Sequence, residues 1–143
     1  MRKLSKKERA ELAAKFGGRC GYCGTELGAR WCADHMEPVL RQSKLLRSHE
    51  ADGPAYKIVA TGKCFRPEND SLENLMPSCG PCNTHKSALG VEDWRRVLED
   101  SLRILARNYS TYRTALRFGM LTEKASPKVT FYFEVAAAPR AGE

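Results

Sequence analysis

Two pairs of cysteines with the same spacing constrain this chain more than any other feature. Cys20 and Cys23 form one Cys-x-x-Cys pair, and Cys79 and Cys82 form a second pair far along the sequence. Two thiolates on one tight turn can occupy two corners of a tetrahedron, and a second such turn can supply the other two. The spacing therefore predicts a structural Zn²⁺ that is closed to substrate and holds two distant segments together.

Two disulfides or a redox dithiol are the alternatives to this metal site. Disulfides are rare in a reducing cytoplasm, where we expect the protein because its basic N-terminus is followed by no apolar run of signal-peptide length. A redox dithiol favours a thioredoxin-like βαβ context, which the pattern lacks. The two remaining cysteines, Cys32 and Cys64, are expected to be buried free thiols rather than ligands.

The length and charge of the chain indicate one domain with an anionic partner. The chain has 143 residues and a formal net charge of +7, and nucleic acid is the commonest partner of such a basic surface. We expect a single α+β domain over residues 1–143. Its parts would be an N-terminal helix in 1–18, a metal-bound core in 19–90 with a basic insert at 39–65, and a C-terminal helix, strand and tail in 91–143.

Local patterns in the first half predict a helix, a strand and a basic insert. Ser5 and Glu8 have the spacing of a capping box, and a Gly-Gly pair at 17–18 would end the helix that follows. Residues 31–36 are predicted to form a strand. The insert at 39–65 is predicted to be a long loop or a hairpin, with a turn at 61–63.

In the second half, the pattern predicts two helices and a strand. A short helix should begin near Cys82 and end at Gly90. Apolar residues then recur at spacings of three and four over 91–118, which predicts one long helix that ends at Gly119. Residues 129–135 are rich in β-branched and aromatic residues and are predicted to form a strand.

Polar residues beside the two cysteine pairs have the chemistry of phosphodiester hydrolysis. That reaction needs a base to deprotonate water and a divalent cation to stabilise charge on the phosphate. His35 suits the base because histidine titrates near neutral pH. The oxygens of Asp34 and Asn83 suit Mg²⁺. A metal bound by all four cysteines would bring these segments together.

The order of these motifs resembles that of the HNH endonuclease family, and of its small bacterial and phage members in particular. The resemblance covers 19–88 and consists of the first Cys-x-x-Cys pair, Asp-His-x-x-Pro at 34–38, Asn-Leu at 74–75 and Cys-x-x-Cys-Asn-x-x-Lys at 79–86. It implies a ββα-metal (His-Me finger) core with a structural zinc. It also implies metal-dependent cleavage of DNA, which we expect to be double-stranded. Nicking and double-strand cutting both remain open.

The resemblance also implies a role for each matching residue. Asp34 and Asn83 would bind the catalytic cation, and His35 would activate water. Asn74 would brace the loop and help to orient His35, and Lys86 would lie near the phosphate. Many family members have histidine where this chain has Asn83, so the chain would be an H-N-N variant that favours Mg²⁺ or Mn²⁺.

Simpler interpretations remain open for the same residues. His35 could be a core histidine, Asp34 a turn residue and Asn83 only a helix N-cap. His85 could contact the phosphate or leaving group, or could simply be exposed. The basic side chains of the insert could contact phosphates or be solvated; they are Arg41, Lys44, Arg47, Lys57 and Lys63. At the level of function, the alternatives are a non-catalytic DNA-binding module and a zinc-bound interaction protein.

Overall fold

The protein is an α+β structure with two small antiparallel sheets. The computed structural model describes residues 3–49, 53–123 and 128–136. Its elements are α1 Lys6–Ala14, β1 Cys32–His35, β2 Leu40–Arg47, β3 Tyr56–Phe65, a 3₁₀ turn at Pro67–Asn69, β4 Leu75–Ser78, α2 Gly80–Lys86, α3 Val91–Glu99, α4 Ser101–Asn108, α5 Ser110–Arg117 and α6 Tyr132–Ala136.

Helix α1 begins at the predicted capping box. The Ser5 hydroxyl accepts a hydrogen bond from the Glu8 amide at 3.2 Å, and the Glu8 carboxylate accepts one from the Ser5 amide at 2.8 Å. These bonds satisfy two of the amide groups that a helix start leaves open. Gly17 and Gly18 have φ of 61° and 74°, so the chain turns away from the helix as predicted.

A short sheet of β1 and β4 lies at the centre of the fold. The strands are antiparallel, with Cys32 opposite Ser78 and His35 opposite Leu75. The prediction of a strand at 31–36 is confirmed. All four residues of β4 are buried, and α2 follows β4 directly, with Cys79 as its N-cap.

The insert is a hairpin of β2 and β3 rather than a loop. The prediction of a turn at 61–63 is wrong because these residues form a bulge within β3, opposite Gln42. Gly62 adopts φ 77° there, and the Thr61 hydroxyl donates to the Gln42 carbonyl at 3.1 Å. Most residues on both faces of the hairpin are exposed.

The single long helix predicted over 91–118 is three helices, so that prediction is wrong. The chain becomes extended at Tyr109, with φ −120° and ψ 110°. The Arg113 guanidinium donates to the carbonyls of Ala106 and Arg107, which satisfies groups that the break leaves open. No residue of α4 or α5 is fully buried, so packing does not impose one straight helix. Gly119, with φ 67°, ends α5 as predicted.

The predicted C-terminal strand is also wrong, because residues 132–136 form α6. The amides of Tyr132 and Phe133 donate to the carbonyls of Tyr22 and Gly21. The Glu134 carboxylate accepts from the amide of Phe131 at 2.8 Å. The segment therefore satisfies its backbone against the first cysteine turn and its own side chain, not against a strand. The predicted tail beyond Ala136 lies outside the described residues.

An aromatic cluster forms the core beside the first cysteine turn. Tyr22 lies edge-on to Trp94, with ring centroids 5.0 Å apart, and Trp94 stacks on Phe131 at 5.2 Å. All three rings are buried, together with Cys20 and Met76. Such aromatic pairs each contribute about 0.5–1.5 kcal/mol beyond their burial. The core thus fixes the cysteine turn against β4 and α3.

Candidate metal centre and adjoining cleft

The four cysteines of the two Cys-x-x-Cys pairs meet in one place, and we call them the cysteine cluster. Their sulfur atoms all lie within 4.8 Å of one another, and the Sγ atoms of Cys23 and Cys79 are 3.8 Å apart. A tetrahedral zinc site with Zn–S bonds of about 2.3 Å places its sulfurs about 3.8 Å apart. The predicted clustering is confirmed, and the cluster can hold a metal ion such as zinc.

Backbone hydrogen bonds hold the two halves of the cysteine cluster together. The Gly21 amide donates to the Pro77 carbonyl at 2.8 Å, and the Cys79 amide donates to the Cys20 sulfur at 3.3 Å. Gly24 has φ 75°, and a Cβ atom there would lie 2.8 Å from the Tyr132 ring. Only glycine therefore fits this position without strain.

The thiols of the cysteine cluster shift one another's pKa. The pKa of Cys20 is lowered to about 4, chiefly because the Cys82 thiol donates a hydrogen bond to its thiolate. The same bond is the main cause that raises the pKa of Cys82, followed by burial, and burial raises the pKa of Cys79. Ionisation of one thiol, that of Cys20, is thus favoured, whereas ionisation of the others requires a cation beside them.

Asp34 lies on β1 next to the cysteine cluster, and its carboxylate is almost fully buried. Its Oδ2 atom accepts a hydrogen bond from the Tyr22 hydroxyl at 2.5 Å and lies 3.0 Å from the Lys86 ammonium. Burial, and then the charge of Asp34, raise the pKa of Tyr22, so the phenol remains a donor. No described residue donates to Oδ1, and Asp34 lines a cleft.

Lys86 is fully buried, and its implied place near the phosphate stays a prediction. Its ammonium donates to the His35 carbonyl at 2.6 Å as well as pairing with Asp34. Helix α2 carries Lys86 in its last turn and directs it under β1. The side chain therefore balances the charge of a buried carboxylate and ties α2 to β1.

His35 ends β1 and forms a close pair with Asp70. Its Nε2 atom lies 2.9 Å from Oδ1 of Asp70, and the two side chains are 11% and 20% exposed. Asp70 follows the 3₁₀ turn and was missed by the sequence analysis, because 35 residues separate it from His35 and it belongs to no recognisable spacing. The pair orients the imidazole and offers it a proton acceptor.

The two candidate asparagines differ in what they contact. The Asn74 amide bonds to both backbone groups of Glu37, at 2.9 and 2.8 Å, and to the Asn69 carbonyl at 2.8 Å, so it braces the loop after His35. Asn83 lies inside α2, whose N-cap is Cys79, so the N-cap alternative for Asn83 is wrong. Within the described part of the chain, the Asn83 amide group has no hydrogen-bond partner.

A cleft of about 500 Å³ opens beside His35, and we call it the His35 cleft. It lies between the end of β1, the base of the hairpin and the end of α2, and is lined by Asp34, His35, Pro38, Val39, Leu40, Arg41, Ser87 and Ala88. A larger cavity of about 860 Å³ between α1 and α6 is lined mainly by apolar side chains such as Phe16 and Met76. None of the described residues that line it is a carboxylate or a histidine.

The remaining candidates lie around the His35 cleft rather than in it, except Arg41, which lines it. His85 is exposed, and its Nδ1 atom accepts a hydrogen bond from the Trp94 indole at 2.8 Å. Cys32 and Cys64 are free thiols but half-buried rather than buried. The five basic candidates are exposed on the hairpin; they are Arg41, Lys44, Arg47, Lys57 and Lys63.

No family model, curated protein or solved structure matches this chain. Among the described residues, no helix is long and apolar enough to cross a membrane.

Proposed function

We propose that this chain is a metal-dependent endonuclease of the HNH type that hydrolyses DNA phosphodiester bonds. One observation carries the proposal: a buried carboxylate, Asp34, and a histidine, His35, line the same cleft, and the histidine is paired with Asp70. The antiparallel pair β1–β4 followed by α2 supports a ββα-metal core. Zn²⁺ in the cysteine cluster would be structural, because four sulfurs complete its coordination.

A divalent cation, Mg²⁺ or Mn²⁺, would be held by Oδ1 of Asp34 in the His35 cleft and by the amide oxygen of Asn83, which lies on α2 outside the lining of that cleft. These are oxygen donors of the kind that such hard cations prefer. When bound, the cation stabilises negative charge on the phosphate and on the leaving oxygen.

His35 would act as the general base. When its Nε2–H is donated to Asp70, Nδ1 has no proton and can accept one from the attacking water. The Asp70 carboxylate then stabilises the imidazolium ion that forms, while the bond between the two side chains keeps the ring oriented. Asn74 supports this arrangement by fixing the loop that follows His35.

The substrate would be gripped by the hairpin of β2 and β3. Its base forms one wall of the His35 cleft, and every charged side chain on its described residues, 40–49 and 53–65, is basic. A two-stranded ribbon fits the major groove of a DNA duplex, and cations near phosphates release counterions. This placement favours double-stranded DNA as the partner.

The test is cleavage of supercoiled plasmid in Mg²⁺, in Mn²⁺ and in EDTA. Wild type should cut only with a divalent cation, and His35→Ala should lower the rate about 10²- to 10⁴-fold, the usual contribution of a general base. Asp70→Asn should also slow cleavage. His49→Ala is the matched control, because His49 is exposed beyond the end of β2 and does not line the His35 cleft; it should leave the rate at saturating DNA unchanged.

Cleavage by His35→Ala at the wild-type rate would refute the role of the histidine. Salt-sensitive DNA binding without cleavage under any divalent cation would favour the second candidate, a non-catalytic DNA-binding module. One observation favours that candidate: the carboxylate of Asp34 already has a charge partner in Lys86 and needs no cation for neutrality.

A further inference from the structure

We propose that Tyr22 and Lys86 are positioning residues that hold the Asp34 carboxylate ready for its cation. This inference rests on the proposed function and deepens it. It assigns roles to a residue of the first cysteine turn and to a lysine of α2, and it explains how the cysteine cluster would govern the geometry of the His35 cleft.

Both donors reach the same oxygen atom from different halves of the cysteine cluster. Tyr22 lies between Cys20 and Cys23, and its hydroxyl donates to Oδ2 of Asp34 at 2.5 Å. Lys86 lies four residues after Cys82, one turn along α2, and its ammonium is 3.0 Å from the same Oδ2. A metal ion that joins the two cysteine pairs therefore also fixes the distance between these two donors.

Each donor is itself held rigidly. Tyr22 is 2% exposed, its ring packs against Trp94 and Phe131, and its carbonyl accepts from the Tyr132 amide at 2.9 Å. Lys86 is fully buried and also donates to the His35 carbonyl. Neither the Tyr22 hydroxyl nor the Lys86 ammonium can move with the Asp34 carboxylate if the carboxylate rotates.

The consequence is that only Oδ1 of Asp34 remains for a cation in the His35 cleft. Rotation of the carboxylate about its Cβ–Cγ bond would break two buried, charge-assisted hydrogen bonds at Oδ2. The carboxylate is thus preorganised, so cation binding carries no entropic cost of ordering it. Loss of one of these two hydrogen-bond donors should weaken cation binding although the ligand, the Asp34 carboxylate, is unchanged.

The experiment measures Mn²⁺ binding by electron paramagnetic resonance with the full-length, zinc-loaded protein. Tyr22→Phe removes only the hydroxyl and should weaken Mn²⁺ binding about tenfold or more, as expected for a hydrogen bond to a charged group. Tyr132→Phe is the matched control, because the Tyr132 hydroxyl has no hydrogen-bond partner among the described residues. Zinc content and the melting temperature establish that each variant is folded, and Asp34→Asn should abolish binding.

A second readout separates this inference from the proposed function. In Tyr22→Phe, the Mg²⁺ concentration for half-maximal cleavage should rise by a similar factor, and the rate at saturating Mg²⁺ should largely recover. If wild type cleaves and Tyr22→Phe matches it in Mn²⁺ affinity and Mg²⁺ dependence, the inference is wrong and the nuclease proposal stands. If folded wild type neither binds Mn²⁺ nor cleaves, both are wrong.

Discussion

Replacement of Lys86 by methionine should destabilise the protein far more than the same change at the surface. The ammonium of Lys86 is fully buried, and it is the only described cation within 4 Å of the Asp34 carboxylate. Methionine keeps much of the apolar stem but removes the charge and the donor. The variant would leave a buried carboxylate without its charge partner and the His35 carbonyl without its side-chain donor.

The magnitude follows from the burial of both partners, whose side chains are 1% and 9% exposed. Removal of one member of such a pair costs about 3–5 kcal/mol, because the remaining charge is not solvated. For a chain of this size, each kcal/mol lowers the melting temperature by roughly 3–5 °C. Lys86→Met should therefore lower it by about 10–20 °C.

The assay is urea unfolding with zinc held in excess, followed by the fluorescence of the two tryptophans, of which Trp94 is buried. Lys7→Met is the matched control, because the Lys7 side chain is 86% exposed and its ammonium forms only a long ion pair with the Glu11 carboxylate, at 3.9 Å. This change should lower the free energy of unfolding by about 0.5 kcal/mol or less. The double variant Asp34→Asn/Lys86→Met should recover roughly 1–3 kcal/mol of the loss, because no unpaired charge remains.

Equal costs for Lys86→Met and Lys7→Met would refute this reasoning. They would mean that the ammonium of Lys86 is solvated and that Asp34 does not depend on it. A double variant no more stable than Lys86→Met would show that the loss comes from packing or from the His35 carbonyl rather than from the charge of Asp34.

Three further predictions concern the metal, the C-terminal segment and the hairpin. A strong chelator should lower the melting temperature sharply, whereas a reductant alone should not. Sensitivity to the reductant but not to the chelator would indicate disulfides. Elemental analysis should find one Zn²⁺ per chain. Arg95 holds the pKa of Glu134 below its usual value, so the pair stabilises at neutral pH and its contribution is lost as pH falls through that lowered pKa. Glu134→Gln should therefore cost about 1 kcal/mol at about pH 7, because the carboxylate is partly exposed. The cost, measured by urea unfolding, should shrink as the pH falls through the lowered pKa of Glu134. Lys44→Gln and Arg47→Gln should each reduce the slope of log K for DNA binding against log salt concentration by about one unit, measured by fluorescence anisotropy. Lys7→Gln should leave that slope unchanged.

Local signals in the sequence were sufficient for several elements. The capping box of α1, the strand β1 and the end of α5 at Gly119 each depend on residues within a few positions of one another. The cysteine cluster was also predictable across a long separation, because a tetrahedral metal site leaves few other arrangements for two equal Cys-x-x-Cys pairs.

Elements that depend on distant partners were predicted wrongly. The aromatic residues at 129–135 have the composition of a strand, but their amides bond to the first cysteine turn and to Glu134. The helical periodicity of 91–118 was real within each segment, yet it gave no sign of the break at Tyr109, where Arg113 satisfies the open carbonyls.

The sequence by itself determined which groups are available: thiols that can bind a metal, a histidine proposed to accept a proton and oxygens proposed to bind a cation. The tertiary structure decided how those groups are used. It buried Lys86 against Asp34, directed Tyr22 to the same oxygen and placed Asp70 against His35. Such partners are selected by packing between segments that lie far apart in the chain, and the energy of a buried charge depends on those partners rather than on its neighbours in sequence.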